Sequence, residues 1–119
     1  MAQAKRAVSV AAKQAAPPVD LVQLATSTMG NRDLELQILQ MFRTQSRDML
    51  ARLSRESDPG ARKDLAHTLK GSARALGAAG VASACQSIED ALNRGEEPPL
   101  AALAQAVDEA TVYIDSLVS

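Results

Sequence analysis

Start and stop signals bracket a single amphipathic helix between Asp58 and Gly77. Asp58 is a good cap acceptor, and the proline after it stands at the first helical position, where a missing N–H costs nothing. Gly77 suits the left-handed residue that ends many helices. Between these signals, leucines recur at helical spacing on one side: Leu65, Leu69 and Leu76. Aromatic residues make up only 2% of the chain, and alanine and leucine supply most of its apolar content, which favours close-packed helices over a sheet.

Further amphipathic segments are separated by similar turn signals, and we predict four more helices from them. A short helix is capped by Asp20 and ends near Met29-Gly30, and a long one runs from Asn31 to about 54–57. The last two run from about Gly80 to Arg94 and from about Pro99 to Leu117. The predicted fold is all-α: an antiparallel up-down-up-down four-helix bundle with a short additional N-terminal helix.

Two regions follow from this pattern. Residues 1–18 form a basic, alanine-rich N-terminal arm, either a frayed helix or disordered, which Pro17-Pro18 separates from the rest. Residues 19–119 form the bundle domain. In its long helix we expect a buried stripe, widened by Leu39 and Leu50, with Leu36 and Met41 at opposite margins, where they either dock a partner or seal the bundle. The stripe consists of Leu34, Ile38, Phe42, Met49 and Leu53.

Composition excludes several functional classes. The formal net charge of −1 and pI of about 5.8 argue against a general nucleic-acid binder. No apolar run approaches the ~18 residues of a membrane span, and the single cysteine, Cys85, lies on a predicted core seam and excludes an internal disulfide. One histidine, one cysteine and no glycine-rich phosphate loop after a strand leave no basis for metal catalysis or ATP binding. We therefore expect a cytoplasmic protein that is not an enzyme and has no cofactor.

His67, the only histidine, points away from the leucine side of its helix. Lys63, Lys70 and Arg74 share its face at spacings of three and four, so we expect an exposed imidazole within a basic stripe. Gly71 follows one turn later, although glycine in a helix interior costs ~1 kcal/mol relative to alanine. A missing side chain there leaves the ring uncovered and lets another molecule approach. This arrangement suits a nucleophile that carries a phosphoryl group, with a lysine close to the anion.

The run His67-Thr68-Leu69-Lys70-Gly71-Ser72-Ala73 with Leu76-Gly77 resembles the signature of histidine-containing phosphotransfer (HPt) domains of bacterial phosphorelays. The resemblance extends from about Val19 to Val118 and includes a second glycine-marked turn near Gly95. It implies phosphorylation of His67 at Nε2, with Lys70 stabilising the phosphoryl oxygens and Gly71 giving clearance to a partner. Glu89, twenty-two residues after His67, matches a polar residue that holds the other ring nitrogen in several relatives; the alternative is an ordinary solvated glutamate.

The resemblance also implies partners. A receiver-domain aspartate would pass its phosphoryl group to His67, which would pass it to the aspartate of a second receiver, so the expected partners are receiver domains of response regulators and hybrid histidine kinases. The receiver would supply Mg²⁺. Because receivers present an acidic pocket, Lys63 and Arg74 are candidate partner-binding residues, as is Met41 on the long helix. Such encounters are transient, and we expect a monomer.

Other functions stay open at the level of sequence. The chain could be a helical interaction module that binds a partner without chemistry, and the basic stripe would then be a solvated face. It could also be a degenerate phosphotransfer domain that binds receivers without accepting phosphate, although His67, Lys70 and Gly71 are all present. A further alternative is the phosphoacceptor domain of a chemotaxis-type kinase.

Overall fold

The computed structural model describes residues 17–118, so most of the predicted arm over residues 1–18 lies outside the described residues. Within that range the chain forms five helices and no strand, which confirms the all-α prediction. The helices are α1 (Leu21–Thr28), α2 (Arg32–Arg55), α3 (Pro59–Leu76), α4 (Ala79–Asn93) and α5 (Ala101–Val118).

The four longer helices form a closed ring. Helix α2 packs on α3, α3 on α4, α4 on α5, and α5 returns to α2. Short connections between successive helices make each neighbouring pair antiparallel, as an up-down-up-down bundle requires. The short helix α1 packs across one end of this ring against α2 and α3. Helices α3 and α4 share the most extensive contact, and this seam carries the site described below.

Helix α3 has the bounds that its sequence signals predict. The Asp58 carboxylate accepts a hydrogen bond from the backbone N–H of Ala61 at 2.8 Å. At the other end Gly77 has a left-handed backbone with φ of 69°, and a Cβ added there would overlap the Cβ of Asp20. The Gln23 side-chain amide donates to the Arg74 carbonyl at 2.6 Å, so α1 satisfies the exposed end of α3. These contacts fix α3 at both ends.

The buried stripe of α2 differs from the prediction in one turn. Phe42, Leu53 and Leu39 are buried as expected, but Leu34 is 39% exposed. Leu34 belongs to the first turn of α2, at the end of the bundle, where the longer helices no longer enclose that side. Cys85 is fully buried on α4, in agreement with its predicted core position.

Within residues 17–118, none of the helices combines the length and the apolar character needed to cross a lipid bilayer.

Candidate functional site

His67 lies midway along α3 on the outside of the bundle. Its side chain is 70% exposed, whereas Ala66 and Leu69 on the opposite side of the same helix are fully buried. The leucine seam therefore sets the direction of the histidine: packing one face of α3 against the core turns the other face, with the imidazole, toward solvent.

Glu89 of α4 contacts the inner nitrogen of the imidazole, on the side that faces the bundle. Its Oε2 lies 3.3 Å from Nδ1 of His67, and the glutamate side chain is only 12% exposed, so the alternative of a solvated glutamate is wrong. A carboxylate can only accept a hydrogen bond here, so the neutral ring must carry its proton on Nδ1 to make this contact. The lone pair of the neutral ring is then on Nε2, which faces away from Glu89.

Lys70 lies elsewhere than the sequence predicts. It was expected on the exposed basic stripe, but its side chain is only 10% exposed, and its ammonium lies 2.6 Å from Glu89 Oε1. The reason is geometric: Lys70 follows Leu69 and is therefore turned about 100° from the core direction, toward α4. There its aliphatic stem is covered at the seam and its charged end meets the polar residues of α4. Lys63 and Arg74 remain exposed.

Two residues of α4 that the sequence analysis did not select complete the cluster. The Gln86 side-chain oxygen accepts a hydrogen bond from the Lys70 ammonium at 3.0 Å. The same amide donates through Nε2 to Asp90 Oδ1, also at 3.0 Å. The signal that could have identified them is the spacing of Gln86, Glu89 and Asp90, which places the three on one face of α4.

Gly71 leaves open space one turn after His67. A Cβ added to it would meet no atom of the described part of the chain within 4 Å, and its backbone does not require glycine, since its φ is not positive. Neither packing nor conformation within residues 17–118 therefore explains a residue that weakens the helix. Residues 17–118 therefore leave the surface beside the imidazole open at Gly71.

The partner-binding candidate on α2 is also exposed. Met41 has 69% of its surface exposed, so the interpretation that it seals the bundle is wrong. It lines a shallow groove with polar neighbours on the same helix: Gln37, Gln40, Thr44, Gln45 and Asp48. Leu36, the other marginal residue of that helix, is half-buried.

Cys85 lies one turn before Glu89 on α4, and its thiol is unreactive at neutral pH. Burial raises the pKa of its thiol from 9.0 to about 12, and the Glu89 carboxylate adds to this shift while Lys70 partly offsets it. The reactive thiolate is therefore suppressed at neutral pH. Within residues 17–118, no group of three or more histidine, cysteine, aspartate or glutamate side chains is arranged to hold a metal ion.

Comparison with known proteins identifies one family. The model of the Hpt domain family matches residues 37–117, which include all of α3 and α4 and most of α2 and α5. Searches of the curated proteins and of the solved structures found no match.

Loss of the Lys70 ammonium should destabilise the fold because it leaves the Glu89 carboxylate buried and without its cation. We expect Lys70→Met to lower the free energy of unfolding by about 1–3 kcal/mol, and Lys70→Met with Glu89→Leu to recover most of that loss. Urea titration of the single and double variants measures both effects.

The matched control is Arg52→Met, which breaks an exposed pair with Asp48 and should cost at most about 1 kcal/mol. Equal losses for Lys70→Met and Arg52→Met would contradict the assignment of Lys70 to a buried, stabilising pair.

Proposed function

The chain belongs to the Hpt domain family, and we propose that it carries a phosphoryl group on Nε2 of His67 between receiver domains of a two-component phosphorelay. Membership in the family implies phosphotransfer in two-component signalling. One observation supports His67 as the acceptor: an exposed imidazole has its inner nitrogen, Nδ1, held 3.3 Å from a nearly buried carboxylate. The outer nitrogen is left as a nucleophile that a partner can reach.

The proposed transfer begins with the lone pair of Nε2. It attacks the phosphorus of the partner's phospho-aspartate, the Nε2–P bond forms, and the bond from phosphorus to the aspartate oxygen breaks, so that the aspartate leaves as a carboxylate. The proton stays on Nδ1, and the positive charge that develops on the ring is stabilised by Glu89. Transfer to a second receiver is the reverse of this reaction with another aspartate as the acceptor.

Lys70 has two parts in this proposal. Its contact with Glu89 Oε1 offsets the charge of a carboxylate that burial would otherwise penalise. An ammonium has three donors. Gln86 accepts a hydrogen bond from the Lys70 ammonium and Glu89 forms an ion pair with it, and we propose that the ammonium also donates to a phosphoryl oxygen. Lys70 would thus stabilise the phosphoryl group directly. It would also act indirectly, by neutralising the carboxylate that holds His67.

His67 lies on the outer surface of the bundle, so the groups that enclose the reacting atoms would come from the partner. A residue on the outside of a helix cannot enclose a substrate, so the receiver's cleft would close around the imidazole and supply Mg²⁺. Lys63 and Arg74 are exposed on the same helix and would steer an acidic cleft toward it. Met41 would add an apolar contact from α2. We propose that the chain works as a monomer in the cytoplasm and, with no ATP-binding motif, depends on a phosphorylated partner.

The test is to incubate the full chain with a phosphorylated receiver and Mg²⁺ and to assay acid-labile, base-stable phosphate on the chain. We expect label on the wild type and none on His67→Gln, which keeps a polar side chain but removes the nucleophile. Label on both would contradict His67 as the acceptor. A folded wild type that takes no label from any receiver in a panel would contradict the carrier function and support the interaction module.

Gly71→Ala separates stability from function. Because the added methyl meets no atom of residues 17–118 within 4 Å, we expect it to stabilise the helix by ~1 kcal/mol. The same methyl stands where the partner's backbone would approach His67, so the rate of phosphoryl transfer should fall by about tenfold or more. Urea unfolding and single-turnover transfer measure the two effects.

Gly80→Ala, at the start of α4, is the matched control, since a Cβ there would make an ordinary 3.7 Å contact with the Ala106 side chain of α5. It should leave the transfer rate unchanged. Unchanged transfer in Gly71→Ala would show that the partner does not need the open flank.

A further inference from the structure

The ammonium of Lys70 is fixed by two acceptors on α4. Glu89 Oε1 lies 2.6 Å away and Gln86 Oε1 lies 3.0 Å away. The lysine has a flexible four-carbon stem and would have several rotamers available at the edge of a helix. These two contacts favour one of those rotamers and place the charge next to the oxygen of Glu89 that does not touch the histidine.

The orientation of Gln86 is itself fixed. A glutamine amide presents a donor at one end and an acceptor at the other, and either end could face the lysine. Here Nε2 donates to Asp90 Oδ1 at 3.0 Å, which turns Oε1 toward Lys70. Asp90 is exposed at the surface of α4, so its carboxylate holds the amide without adding a buried charge.

A neutral acceptor at this position has an electrostatic consequence. If a carboxylate stood in place of Gln86, it would compete with Glu89 for one ammonium, and the lysine would be drawn away from Glu89. The amide holds Lys70 in place while leaving its charge to Glu89. One oxygen of Glu89 is then neutralised by the lysine, and the other remains available to Nδ1 of His67.

From this chain of contacts we propose that Gln86 is a positioning residue of the phosphotransfer site, oriented by Asp90 and acting through Lys70 and Glu89 on His67. The inference rests on the proposed function and deepens it. Removing the Gln86 acceptor should slow the transfer step itself without weakening the docking of the receiver, because Gln86 lies half-buried at the helix seam.

The experiment compares single-turnover transfer from a phosphorylated receiver with the Kd for that receiver. Gln86→Met keeps the length of the side chain and removes the amide, and we expect the transfer rate at saturating receiver to fall about three- to tenfold while Kd stays within about twofold of the wild type. Gln86→Glu should also slow transfer, since it keeps the shape but competes for the ammonium.

A double-mutant cycle tests the path of the effect. If Gln86 acts through Lys70, then adding Gln86→Met to Lys70→Met should slow transfer by less than about twofold more. Asp90→Ala, at an exposed position that should not disturb folding, is expected to give a smaller loss in the same direction. Gln105→Met is the matched control, because Gln105 makes the same type of hydrogen bond to Glu109 without a lysine and should leave transfer unchanged.

The outcomes separate the two claims. A Gln86→Met variant that transfers phosphate at the wild-type rate would overturn the role of Gln86 and leave the carrier function intact. The same conclusion would follow if the losses from Gln86→Met and Lys70→Met multiplied in the double variant. A parallel loss of receiver binding would also overturn the role of Gln86, since it would place Gln86 in the docking surface. A wild type that accepts no phosphate would overturn both claims.

Discussion

The site depends on how one nearly buried carboxylate is shared. Glu89 lies at the seam between α3 and α4, where an unpaired charge would be costly. One of its oxygens is paired with the Lys70 ammonium, and the other meets Nδ1 of His67. Because the lysine offsets most of the charge, the carboxylate can remain at the seam and orient the imidazole from within the protein, while Nε2 stays outside.

The rest of the fold keeps that arrangement rigid and accessible. Helices α3 and α4 are joined by a tight turn at Gly77, and α1 closes over the end of α3 through Gln23, so the register between His67 and Glu89 is fixed. A rigid helix surface also suits the proposed function, since a carrier must be bound by more than one receiver domain. Gly71 contributes by leaving that surface open, at a cost in helix stability.

Much of this was predictable from local sequence signals. Capping and stop residues gave the bounds of α3, and helical spacing gave the outward direction of His67, because both depend on one helix alone. The burial of Lys70 was not predictable in the same way: it points toward the margin of α3, and only the position of α4 decides whether that margin is covered. Gln86 was missed for the same reason, since its importance comes from a lysine on another helix. Leu34 follows the apolar spacing, but the end of the bundle leaves it exposed.

Determining the tautomer of His67 tests the proposed site most directly, because the Glu89 contact requires the proton on Nδ1. His67 is the only histidine in the chain, so its ring nitrogens give unambiguous signals in a long-range ¹H–¹⁵N NMR spectrum. At a pH where the ring is neutral, we expect a protonated Nδ1 and an unprotonated Nε2. A neutral ring protonated mainly on Nε2 would contradict the proposed site, since the atom proposed to receive the phosphoryl group would then have no free lone pair.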